Sequence, residues 1–430
     1  MQVGDTIMAL SSGALPAGVA VIRLSGPLVR AVLPKLVGPL PKPRTMALRH
    51  IGQDKRLDQG LVAFFPAPHS FTGEDCAELH VHGSVAGVKA ILAKLSQDGL
   101  RLAEPGEFTR RAFENGKLDL LAVEGLGDLL LADTEKQRQQ ALARYDGGLT
   151  RQIDTWRDTL LNLRAEIEAR LDFSDEGDVS DALPETWHHD LADLEIALAA
   201  TLATFESGRI VREGIRVALA GPPNVGKSSL INALARSEIA IVSDEAGTTR
   251  DVREVPLDIG GQLFILLDLA GLRETESRAE AEGIRRATEA IKHADILLWL
   301  RAPDVTDMAL PQTHARIITI GTKADLSLVP DTDLSVSVEH SSGIKDLIQI
   351  LQAAGESFAT GEPVLVSHER DRNALTQALE ALVETREALR DWELAAESLR
   401  RASAGLERMI GRLDSEKILD RLFSGFCIGK

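Results

Sequence analysis

The 430-residue chain is poor in aromatic side chains: 11 Phe, 4 Trp and 1 Tyr amount to 4%, so any core must be built from Leu, Ile, Val and Ala. Its two cysteines, Cys76 and Cys427, are too few for a disulfide framework and lack metal-ligand spacing, which leaves chemistry as the role to weigh. No apolar run reaches the roughly 18–20 residues of a spanning helix, and MQVGDTIMAL lacks the basic-then-apolar layout of a secretory signal. The expected location is therefore cytoplasmic, with no membrane partner. Basic residues are also scarce, 48 against 65 acidic, for a net charge of −17. That balance excludes a protein that coats nucleic acid by bulk attraction and leaves room for a local basic patch.

What is present is a chain long enough for about three domains. Residues 1–118 read as short β-rich runs (VAVIRLS, LVAFFPA, AELHVH) with helical stretches between them, an α+β domain. Residues 119–210 carry long leucine and alanine periodicity, as in TWRDTLLNLRAEIEARLDF, the pattern of amphipathic helices. Over 211–362 the pattern becomes strand, Gly-rich turn, helix, with buried strands at LFILLDLA, DILLWL and ARIITIG, which predicts a parallel sheet covered by helices. Residues 363–430 are helical again. The fold class expected is multidomain α/β, with a P-loop domain inserted into a helical domain and an α+β domain before it.

The stretch Gly221-Pro-Pro-Asn-Val-Gly-Lys227-Ser228 fits G-x-x-x-x-G-K-[ST] between a buried strand and a helix. Its glycines let backbone amides point at phosphate. The loop residues Asn224, Val225 and Gly226 line it, Lys227 reaches the β and γ phosphates, Ser228 offers a hydroxyl to Mg²⁺, and Ser229 is the next expected contact to the GTP. Three further pieces follow in order. Gly247-Thr248-Thr249 is a first-switch candidate in which Thr249 would add a second hydroxyl to Mg²⁺. Asp268-Leu-Ala-Gly271 ends a buried strand, so Asp268 can hold the metal through water while the Gly271 amide meets the γ phosphate. Thr322-Lys323-Ala-Asp325 supplies a carboxylate for the two N–H donors of a guanine edge, and Ser337-Val338-Glu339 a backbone amide for the guanine oxygen. Together these predict GTP and Mg²⁺ as ligands. Leu272, after the DxxG motif, cannot orient an attacking water as the glutamine of small Ras-like GTPases does. Another group must orient it, and another cation must neutralise the transition state.

The whole chain resembles the MnmE (TrmE) family of tRNA-modification GTPases, on DTIMAL, VIRLSG, SFTGEDCAELHVHG, PGEFTRRAFENGKLDL, GPPNVGKSSLINAL, AGTTRD, DLAGLRE and the terminal FCIGK. The resemblance implies a folate-binding amino-terminal domain that dimerises, a split helical domain and an inserted G domain. It implies that Asn224, Ser243, Glu245 and Thr248 coordinate K⁺ where an arginine finger would otherwise act, and that Glu280 orients the attacking water. It implies that Arg23, Glu78, Lys117 and Lys430 bind a formyl-tetrahydrofolate, a tetrahydrofolate derivative. It further implies a homodimer that pairs with the flavoprotein MnmG and modifies carbon five of the wobble uridine of certain tRNAs with a (carboxymethyl)aminomethyl group. The chain departs from the family at Thr322, where Asn is usual, at Leu269 inside the DxxG motif, at Ser243 and Glu245, and in a short 411–417 linker. None of these removes a catalytic group.

The terminal Cys427-Ile-Gly-Lys430 sits where a Cys-a-a-X lipidation box would sit, but Gly429 and Lys430 are poor choices for one and no second membrane signal accompanies it. LDRLFSGF carries apolar residues at helical spacing up to Cys427, which predicts a packed end. By resemblance the tail docks toward the folate site, with Cys427 as a thiolate nucleophile. The favoured function is a GTP-hydrolysing tRNA-modification enzyme. The alternatives are a ribosome-assembly-type or signalling GTPase switch, and a folate-binding or aminomethyl-transfer protein without hydrolysis, which Lys227, Ser228 and Asp268 argue against.

Overall fold

The computed structural model describes residues 4–172, 182–241, 253–268, 289–358, 363–412, 422–423, 425–426 and 429. The chain divides into two units, residues 1–127 with 406–430, and residues 128–405.

In the first unit six strands form one sheet in the order β3-β4-β5-β2-β1-β6. They are β1 (Ile7–Leu10), β2 (Ala17–Ser25), β3 (Ala47–Ile51), β4 (Asp58–Phe65), β5 (Cys76–Gly83) and β6 (Arg101–Leu102). All neighbours are antiparallel except β1 and β6. Strand β2 alternates as its period demands: Ala20, Ile22 and Leu24 are buried under helices α1 (Val29–Val37) and α2 (Val85–Gln97), while Val21 and Arg23 point to the other face. Helix α3 (Glu107–Glu114) is tied to the sheet by charge as well as by Phe108. Glu107, almost fully buried, accepts from Arg101 at 2.6 Å and Arg111 at 2.9 Å, and Arg111 also reaches Asp5 at 2.6 Å. Burial alone would raise the Glu107 carboxyl, but these two guanidinium groups and the Glu104 amide hold it below the ordinary carboxylate range.

Residues 406–430 fall in this first unit by their contacts. The reason is aromatic burial: Phe423 packs with Leu120 and Val123, the first of which opens helix α4 (Leu120–Leu130), and Phe426 joins Phe423 at a ring separation of 6.0 Å. A buried Phe contributes roughly 1.5–3 kcal/mol, enough to anchor a short tail.

The second unit opens with helices α5 (Glu135–Tyr145), α6 (Gly148–Asp172), α7 (Glu185–Ala203) and α8 (Phe205–Glu213). An α/β domain follows: β7 (Ile215–Ala220), α9 (Lys227–Ala235), β8 (Arg253–Ile259), β9 (Gln262–Asp268), β10 (Ile296–Arg301), β11 (Arg316–Gly321), β12 (Leu334–Ser335) and α10 (Ile344–Glu356). Helices α11 (Glu369–Glu387) and α12 (Trp392–Met409) then return to α6 and α7, with α11 packed on α7. The inserted sheet runs β12-β11-β10-β7-β9-β8, parallel except for the β8–β9 hairpin. Its central strands are apolar on both sides because both are covered: Val217, Leu219 and Leu298 face one core, Ala218, Leu297 and Trp299 the other. After β7 the chain crosses to β8 and β9 on one side and β10 on the other. The carboxyl end of β7 is therefore the switch point at which such sheets bind ligands.

Candidate functional site

The loop that leaves β7 is shaped by three residues in the left-handed region. Gly221 has φ 146°, and a Cβ there would lie 2.4 Å from the Leu300 carbonyl, so β10 and the loop can approach only at a glycine. Asn224 (φ 62°) and Gly226 (φ 99°) then turn the backbone into a concavity of amides that suits an anion, and α9 begins at Lys227 with its positive end at the same place. Lys227 Nζ donates to the carbonyls of Gly221 at 2.9 Å and Pro222 at 2.8 Å, across the mouth of the loop. Ser228 and Ser229 are exposed in the first turn of α9, and Asn224 is exposed on the crest. Val225, fully buried, fixes the loop to the core.

A second group of the sequence candidates lies two strands away from β7, at the end of β11. Thr322 follows β11, and its hydroxyl donates to the Val225 carbonyl at 2.5 Å. Lys323 (φ 54°) pairs with Asp304 at 2.6 Å. The Ser337 hydroxyl donates to Asp325 at 2.6 Å, and this hydrogen bond holds the Asp325 carboxyl below its ordinary range. Ser337 also donates its amide to the Ser342 carbonyl at 3.0 Å. Its part is thus to aim Asp325, which leaves Val338 and Glu339 as the amides of that turn that can face a base. Strand β9 runs parallel to β7 through Ala218↔Leu267, so Asp268 leaves the sheet beside the phosphate loop. The sequence candidates Ser243, Glu245, Gly247, Thr248, Thr249, Gly271 and Glu280, the Asp268 side chain, Cys427 and Lys430 lie outside the described residues.

In the first unit Arg23 and Glu78 face each other across β2 and β5, with Arg23 Nε and Nη2 at 3.1 and 3.0 Å from Glu78 Oε1. The Arg23 guanidinium lies 5.7 Å from the Phe71 ring and 5.9 Å from that of Phe108. Lys117 is exposed beside Gly73, where a Cβ would meet its Cε at 3.3 Å. Sequence reasoning missed His80, whose Nε2 sits 3.2 Å from Glu78 Oε2. Its signal was the period-two row Glu78, His80, His82 along β5. The tail is anchored on the same sheet: Ser11 Oγ donates to the Gly429 carbonyl at 2.8 Å.

Two family descriptions match this chain, "GTP-binding protein TrmE N-terminus" over residues 6–117 and "MnmE helical domain" over residues 120–427. It is similar end to end to proteins described as "tRNA modification GTPase MnmE". That of Azorhizobium caulinodans is 47% identical over 441 residues, covering 99% of each chain. That of Rhizobium etli is 46% identical over 442 residues, covering all of both. This chain belongs to the MnmE family of GTPases. As a member of the MnmE family it is an enzyme that binds and hydrolyses GTP with Mg²⁺. At Thr322 the structure shows the hydroxyl making the link to the loop of residues 221–228.

Proposed function

We propose that the protein is a K⁺-stimulated GTP hydrolase that works with the flavoprotein MnmG. Together they add a (carboxymethyl)aminomethyl group to carbon five of the wobble uridine of certain tRNAs, using a tetrahydrofolate one-carbon unit. The observation that carries this reading is the end-to-end similarity to tRNA modification GTPases at 46–47% identity. Among the described residues no helix is long and apolar enough to cross a membrane.

The residues fit the ligands by donor chemistry. The amides of 221–227 and the Lys227 ammonium hold the β and γ phosphates, and Asp325 accepts from the guanine edge. Ser228, exposed at the helix start, and Thr249 hold Mg²⁺, with Asp268 behind a water. The metal supplies neutralisation of charge on the phosphates when bound. Asn224, on the exposed crest of the loop, has its side chain available to a second cation, and Ser243, Glu245 and Thr248 complete a K⁺ set when two copies meet by their G domains. Glu280 orients the attacking water, the part that Leu272 cannot play. In the first unit a guanidinium, a carboxylate and two aromatic rings suit a pterin, and exposed Lys117, with Lys430, suits its anionic glutamate tail. Cys427 is the candidate nucleophile toward the uridine or the one-carbon adduct, and the amino-terminal domains form the homodimer.

GTP turnover at equal ionic strength tests the cation. Replacing Na⁺ by K⁺ is expected to raise kcat about tenfold or more, the scale of one added transition-state charge. Equal rates in the two salts would remove the proposed role of Asn224.

A further inference from the structure

Helix α5 carries Gln137, Gln140 and Arg144 at spacings of three and four, a single face of the helix, and all three are buried. They hydrogen-bond to backbone carbonyls, and Arg144 to a buried carboxylate as well. Gln137 Nε2 donates to the Arg212 carbonyl at 2.9 Å, and Gln140 Nε2 donates to those of Gly208 at 3.1 Å and Val364 at 2.7 Å. Arg144 donates to the Leu365 carbonyl and to buried Asp371, the latter at 2.8 Å. These carbonyls lie on the two segments by which the chain enters and leaves the nucleotide domain.

The start of α5 makes a third grip. The Lys136 amide donates to the Gly261 carbonyl at 3.0 Å, in the tight Gly260–Gly261 turn between β8 and β9. Next to that turn, Gln262 Nε2 donates to the Ile210 carbonyl at 3.2 Å. From there β9 runs straight to Asp268, its last residue. A hydrogen-bonded strand does not stretch, so the register of β9 at the α5 end sets where Asp268 emerges at the nucleotide end.

The joint is also not fully satisfied. Gln262 Oε1 and Ser367 Oγ are buried in it and find no hydrogen-bond partner among the described residues. Buried polar groups are nearly always paired, and two exceptions at one joint mark a place where a small shift can gain hydrogen bonds.

We propose that Gln137 and Gln140 are positioning residues for GTP hydrolysis: they lock the 208–212 segment and Val364 against α5, so that β9, which rests on the same segment through Gln262, is held in register as far as Asp268, and they pass the nucleotide state back to α5. The proposal rests on Asp268 being the group that meets the metal. Hydrogen–deuterium exchange of the full chain, loaded with GDP or a non-hydrolysable GTP analogue, tests it. In the wild type, peptides covering 132–145 are expected to change exchange rate about threefold or more between the two states, as those covering 215–230 also do. In a Gln137→Met, Gln140→Met variant the α5 difference collapses while that of 215–230 persists. In the same variant kcat for GTP falls about tenfold and GDP affinity stays within about twofold, because the phosphate loop keeps its own anchors.

An α5 that exchanges identically in both states while 215–230 responds would overturn the proposal and leave the nucleotide site standing. A variant with wild-type kcat and an intact α5 response would also overturn it. If neither segment responds, the reading of the nucleotide site fails and the proposal with it. Should the variant not fold, the wild-type comparison decides alone.

Discussion

Thr322 Oγ1 donates to the carbonyl oxygen of Val225 at 2.5 Å, tying the end of β11 to the loop that leaves β7. The same hydroxyl lies 3.0 Å from the Arg301 carbonyl, but it has one proton, and the shorter contact takes it. A single buried hydroxyl therefore does the bridging in this chain. Thr322→Val keeps the shape and removes the donor, leaving the Val225 carbonyl unpaired. GDP and GTP affinity are expected to fall about tenfold, the effect of roughly 1.4 kcal/mol for one buried hydrogen bond. Fluorescent-nucleotide titration measures it, and unchanged affinity would show that the link is incidental.

Asp325 is aimed by Ser337, and the hydrogen bond between them has a pH consequence. Because the Ser337 hydroxyl depresses the Asp325 pKa, the carboxylate persists where an ordinary aspartate would take up a proton. Its contribution to guanine binding is therefore constant from neutral pH down to the ordinary carboxylate range, and is lost as pH falls through the depressed value. In Ser337→Ala that loss moves to higher pH. The ratio of GDP affinities, wild type over variant, cancels the titration of the nucleotide itself and is expected to rise on acidification. A ratio flat with pH would contradict the assignment.

Asp325→Asn exchanges one acceptor oxygen for a donor. Guanine then meets a mismatched edge and its affinity is expected to fall on the order of 100-fold. Xanthine nucleotides, which carry a carbonyl where guanine carries an amino group, are expected to gain. Parallel titrations with the two nucleotides check this, and equal losses for both would mean that Asp325 does not read the base.

The tail is seated by a glycine that cannot be replaced cheaply. Gly429 has φ 100°, and a Cβ on it would lie 2.5 Å from the Leu10 carbonyl. Gly429→Ala is expected to unseat the end of the chain from β1 and to lower tRNA modification severalfold. GTP turnover, housed in the other unit, stays at the wild-type rate. Modification at the wild-type level would separate the seating of the tail from the chemistry.

Local order was legible in the sequence wherever one short stretch determines its own geometry. Gly221 to Ser228 carries its turn, its anion cradle and its helix start within eight residues, and β9, β10 and β11 announce themselves as apolar runs. What was not legible depends on distant partners. The order β3-β4-β5-β2-β1-β6 requires pairings that no local pattern encodes, and Leu120 and Phe423 share a core across some 300 positions. Helix α5 is a third case. In EKQRQQALARY the side chains of Gln137, Gln140 and Arg144 are buried because distant backbone carbonyls and the Asp371 carboxylate, invisible to side-chain periodicity, satisfy them.

The central claim, that this GTPase serves tRNA modification, is tested most directly by nucleoside mass spectrometry of tRNA from cells lacking the protein. The account predicts that wobble uridines lose the carbon-five group and regain it when the wild-type chain is restored, but not with Lys227→Ala. A normal modification profile in the cells that lack the protein would contradict it.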